Sequence, residues 1–152
     1  FINNGFSYYG AHMATFIPYT LTFASFSSIL LQFAKRVRAI VGSFAGRLIG
    51  VLPLAMLGVW LTPYDTFVVP HTLFALSLFV VEGVLTLYLL RKHFDILGEV
   101  FAGAEVLLGA LTILFYATSK GYMLESQVLF QVIFIMFLYR FTISYKRNSV
   151  GY

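Results

Sequence analysis

Five stretches of this chain, at about 11–34, 45–61, 67–90, 96–117 and 127–145, are almost uninterrupted runs of apolar residues. A helix rises 1.5 Å per residue, so a run of about 20 spans roughly 30 Å, the thickness of a bilayer's hydrocarbon. Hydrocarbon offers backbone N–H and C=O groups no partner, so a spanning segment must be a helix or part of a closed barrel. The runs lack the two-residue alternation of barrel strands, which selects helices. Composition agrees: with 60% hydrophobic and 11% charged residues, the polar surface is too small to enclose a water-soluble core. The expected fold is all-α, a polytopic transmembrane helical bundle forming a single domain over 1–152.

The charged residues set the expected topology. With 1–10, 62–70 and 118–125 on one side, only Lys120 of the ten Lys and Arg lies there. The other nine, Lys35, Arg36, Arg38, Arg47, Arg91, Lys92, Arg140, Lys146 and Arg147, gather near the opposite face. That asymmetry predicts a multi-pass integral membrane protein with the opposite face and the C-terminus in the cytoplasm. It also explains the net charge of +4 without nucleic acid as a partner. The chain opens on Phe1 rather than Met and on the outer side. A sixth, N-terminal helix with a cytoplasmic start is therefore expected upstream. Cysteine is absent, which removes disulfides, thiolate metal sites and thiol nucleophiles.

Within the spans, polar residues stand out. The first carries Thr15, Thr20, Thr22, Ser25, Ser27 and Ser28, hydroxyls that can bond along or between helices. Gly46 and Gly50, four apart, permit a close helix approach. Glu82 and Glu105 each lie roughly 13–15 Å from the basic boundary by helix rise, at matched depth on consecutive antiparallel helices. Placing a charge mid-bilayer costs about 2.5–3.5 kcal/mol on insertion scales, so such acids face a bundle interior or a wet cavity. If they meet, they share a proton and form a proton or cation site, or the polar floor of a headgroup pocket. Otherwise they are neutral acids bonded to hydroxyls that hold helices together.

On the outer side stand His12, Asp65, His71 and Glu125. Two imidazoles and an acid could ligate zinc, and a His–Asp pair could serve as general base. A third ligand or a nucleophile is needed as well, and no HxxxH, HExxH or GxSxG pattern supplies it. No metal or cofactor is therefore expected. In the structural reading, His71 after Pro70 caps a helix start and Asp65 belongs to an ordinary turn. Trp60, Tyr64, Tyr116 and Tyr122 bracket the outer boundary as an aromatic belt. Gln127 and Gln131 share one face of the last span, in reach of the outer histidines or acids. Arg47 either pairs with an acid such as Glu99 or snorkels to the interface.

The segment from Gly50 through Gly58-Val59-Trp60-Leu61-Thr62-Pro63-Tyr64-Asp65 to His71, Ala75 and Phe79 resembles the third-to-fourth-helix region of a superfamily of six-span membrane proteins. That superfamily comprises DRAM-like autophagy modulators, lipid-remodelling factors for GPI anchors and a prokaryotic branch without an assigned activity. Ser7-Tyr8-Tyr9-Gly10 is similar to its loop after the first helix. The resemblance implies six spans and a place nearest the prokaryotic branch. Asp65 and His71 are the positions to which a site would transfer. The short outer loops and Trp60 depart from the eukaryotic members.

Three functions follow as expectations. The first is a non-catalytic membrane protein binding a lipid or membrane partner through its bundle interior and outer turn, with a homo-oligomer as one form of partner. The second is a lipid-modifying enzyme using His12, Asp65 and His71. The third is a proton- or cation-coupled carrier using Glu82 and Glu105, a reading weakened because no inverted repeat is visible.

Overall fold

The computed structural model describes residues 13–92, 96–118 and 123–149, with side chains at 15–92, 96–118 and 125–145. Five helices follow one another: α1 Met13–Val41, α2 Ser43–Leu61, α3 Val68–Leu90, α4 Ile96–Thr118 and α5 Met123–Ser149. All five are long and apolar enough to cross a membrane, which makes this a multi-pass integral membrane protein. Among the described residues there is no strand.

Helix α1 outlasts its apolar stretch. It was expected to end near Ala34, but continues through Lys35, Arg36 and Arg38 to Val41. Lys and Arg are good helix formers, and their exposed ammonium and guanidinium groups reach polar surroundings without unwinding the backbone. Gly42 alone then separates α1 from α2, at φ 118°, a conformation open to glycine and strained for side chains. A single residue thus reverses the chain. Four residues on, a Cβ on Gly46 would collide with the Cβ of Arg38 and crowd the Ala34 carbonyl. The α1–α2 pair is the most extensive in the bundle, followed by α4–α5 and α2–α3.

Smaller contacts between α3 and α4 and between α1 and α5 close the five helices into a ring. Helix α5 supplies the filling. Phe130, Phe134, Phe137 and Phe141 recur at helical spacing, and all four are buried. Around them pack Leu30, Phe33 and Val37 of α1, Ile49, Leu52 and Met56 of α2, and Leu85 and Leu89 of α3. Outward-facing positions such as Leu54, Leu73 and Leu107 are equally apolar and lie exposed for lipid to cover. Lipid tails are as apolar as these cores, so fit and interhelical hydrogen bonds decide which face turns inward.

The described cationic side chains, Lys35, Arg36, Arg38, Arg47, Arg91, Lys92 and Arg140, fall toward the end of the bundle that holds Gly42 and Arg91. The opposite end carries the α2–α3 turn. Arg47 folds back along its own helix to the Ser43 carbonyl at 3.4 Å. It makes no pair with Glu99, which is exposed.

Candidate functional site

The turn from Thr62 to Phe67 fixes one wall of the site. Thr62 satisfies the end of α2 twice, through its backbone N–H and its hydroxyl, both donating to the Gly58 carbonyl at 3.1 and 2.6 Å. Thr66 and Phe67 both donate to the Pro63 carbonyl, a closed turn. The Thr62 carbonyl accepts a 2.5 Å hydrogen bond from Nδ1 of His71. A carbonyl can only accept, so Nδ1 carries a proton, and in the neutral imidazole Nε2 then carries a lone pair. His71 thereby becomes buried in the first turn of α3, with Tyr64 edge-on at 5.6 Å.

Tyr64 reaches the far end of α4. Its hydrogen bond with Tyr116, followed by partial burial and the charge of Asp65, raises its phenol above the ordinary 10.0. Trp60 ties α1 to the same end: its Nε1–H donates to Thr20 Oγ1 at 3.0 Å, and its ring lies 6.1 Å from Phe16. Of the expected belt, Trp60, Tyr64 and Tyr116 therefore also cross-link helices, while Tyr122 lies outside the described residues.

Beneath the turn end, α1, α2, α3 and α5 leave a partly open pocket of about 110 Å³. Its walls are apolar, including Phe23, Phe26, Met56 and Phe79, while His71, Gln127, Gln131 and Thr22 bring polar atoms to it. Gln131 links the pocket to the interior. Its Nε2 donates to both carboxylate oxygens of Glu82, at 3.1 and 3.0 Å. One helical turn further along α3, Thr86 donates its hydroxyl to both oxygens of Glu105 on α4, at 2.9 Å each. Glu82, Thr86 and Glu105 are all buried. The two acids belong to two buried polar pairs, one joining α3 to α5 and the other α3 to α4.

The sequence candidates thus divide. His71 lines the pocket, whereas Asp65 is exposed on the turn and makes no hydrogen bond or ion pair among the described residues. His12 lies outside the described residues, as do His93, Lys120 and the side chains of Lys146 and Arg147. Among the described residues, no three His, Cys, Asp or Glu side chains gather as a metal site would require. Thr86 had escaped notice, although its position one turn from Glu82 puts both on one helix face. Gln131 stood out in the sequence, but its partner did not. Compared with family models, curated proteins and solved structures, the chain matches none.

Proposed function

We propose that this protein binds a membrane lipid, without catalysis, in the pocket between α1, α2, α3 and α5. The supporting observation is the pocket itself: apolar walls with a few converging polar atoms, the usual composition of a small-molecule site. Its size constrains the fit. A cavity of about 150 Å³ holds a benzene ring. A pocket of 110 Å³ takes a few heavy atoms, so a lipid would seat one end there and leave the rest in the bilayer.

The resemblance of the Thr62–Asp65 turn and His71 to the six-span superfamily with lipid-remodelling members supports the same reading. On this reading the turn end faces away from the cytoplasm, because the cationic residues crowd the opposite end.

The reading is tested by native mass spectrometry of the gently extracted protein beside its Ala75→Phe variant, whose ring would fill the pocket. The wild type should retain a lipid adduct that the variant loses. An adduct absent from both, or kept by both, would sink the proposal.

A second reading, a proton- or cation-coupled carrier, draws on the burial of both Glu82 and Glu105. It predicts ion flux in proteoliposomes that Glu82→Gln abolishes. The enzyme reading has less support, because Asp65 stands in the open while His71 faces the pocket.

A further inference from the structure

Three of the four polar side chains at the pocket, those of His71, Thr22 and Gln131, share a property beyond their number. Each has spent a hydrogen elsewhere. His71 donates Nδ1–H to the Thr62 carbonyl, leaving Nε2 with a lone pair and no hydrogen-bond partner among the described residues. Thr22 gives its only hydroxyl hydrogen to the Pro18 carbonyl at 2.8 Å, leaving an oxygen that can only accept. Gln131 turns its amide nitrogen onto Glu82, which leaves its carbonyl oxygen as an acceptor. These come from α3, α1 and α5, and all three residues line the same space.

Three acceptors around one space discriminate by hydrogen-bond polarity. A ligand carbonyl or ether meets lone pair against lone pair, whereas a hydroxyl donates. Among the described residues no Lys or Arg lines the pocket, so a phosphate entering it would lose its water without gaining a counter-charge from them. Building on the lipid-binding reading above, we infer that the ligand is a neutral lipid alcohol whose free hydroxyl donates into the acceptors of His71, Thr22 and Gln131. Glycerolipids with a free hydroxyl and sterols share this chemistry, and the test separates them.

The full chain in nanodiscs is labelled with a diazirine-bearing diacylglycerol, and the labelled peptides are mapped. Competition then compares dioleoylglycerol with its methyl ether, cholesterol with its methyl ether, and dioleoyl phosphatidic acid. Each ether keeps the bulk and removes only the donor. Labelling should map to the pocket segments of α1, α3 and α5. One free alcohol should compete roughly fivefold better than its ether, the worth of one net hydrogen bond. The pair showing that gap identifies glycerolipid or sterol as the source. Thr22→Val, which keeps the shape and removes one acceptor, should narrow the gap. Equal competition by alcohol and ether, or stronger competition by phosphatidic acid, with labelling still in the pocket, overturns this inference and leaves lipid binding standing. Labelling that avoids the pocket overturns both.

Discussion

Gln131 donates from Nε2 to both carboxylate oxygens of Glu82, joining α5 to α3 across 49 positions of sequence. The pair divides the bundle. On one side lies the pocket with His71; on the other, Leu85, Leu89, Phe134 and Phe137 are fully buried. Any ligand in the pocket that displaces the Gln131 amide acts directly on the partner of a buried acid.

Removing that amide should be costly. Gln131→Leu leaves the fully buried Glu82 without its partner and should lower stability by about 1–2 kcal/mol. Replacing both residues with leucine should cost less than the two single changes combined, because no polar group is then stranded. Thermal unfolding of the four proteins in detergent checks the coupling, and strict additivity would count against it.

The three glycines of α2 should respond differently to alanine. At Gly46 the obstacle includes the backbone of Arg38 and the Ala34 carbonyl, which cannot step aside. Gly46→Ala should destabilise by about 1–3 kcal/mol. At Gly58 the obstacle is the Phe74 ring, so Gly58→Ala should cost less, and Phe74→Leu should relieve it. A Cβ on Gly50 meets nothing within 4 Å. There the change should be neutral or slightly stabilising, since alanine is the better helix former. The ranking is read from melting temperatures.

Core and lipid-facing apolar residues should separate cleanly. Phe137 is fully buried, so Phe137→Ala opens a cavity and should cost about 3–5 kcal/mol. Leu107 is 61% exposed, and Leu107→Ala exchanges one lipid contact for another. Chemical denaturation in bilayers or micelles should show a change near zero for the second variant.

Tyr64 lies outside the membrane-spanning helices, and its hydrogen bond with Tyr116 raises its phenol above 10.0. Below pH 10 folded and unfolded chains both hold this proton. As pH rises past 10 the unfolded chain releases it first, so stability from this group falls until the folded phenol also ionises. The absorbance difference between wild type and Tyr64→Phe isolates this phenolate. Tyr116→Phe should move its midpoint down toward 10, and an unmoved midpoint would contradict the hydrogen bond.

Single cysteines can report topology, since the chain contains none. In sealed cells, an impermeant maleimide should label Thr66→Cys at the turn end directly. Ser43→Cys, beside Gly42, should label only after permeabilisation. Labelling of both from outside would refute the assignment of the basic end to the cytoplasm.

The sequence by itself determined the five helices, their approximate ends, the gathering of cations at one end and the depth of Glu82 and Glu105. These are properties of length and position along the chain, and a bilayer reads them directly. Only the tertiary structure decided that Glu82 meets Gln131 while Glu105 takes Thr86, that His71 closes its own turn while Asp65 stands apart, and that Gly46 rather than Gly50 brings α1 against α2. Those facts depend on how each helix is rotated about its axis. In a water-soluble bundle an apolar stripe marks the buried face. Here both faces are apolar, so rotation is fixed by side-chain fit and by a handful of hydrogen bonds between residues far apart in the chain.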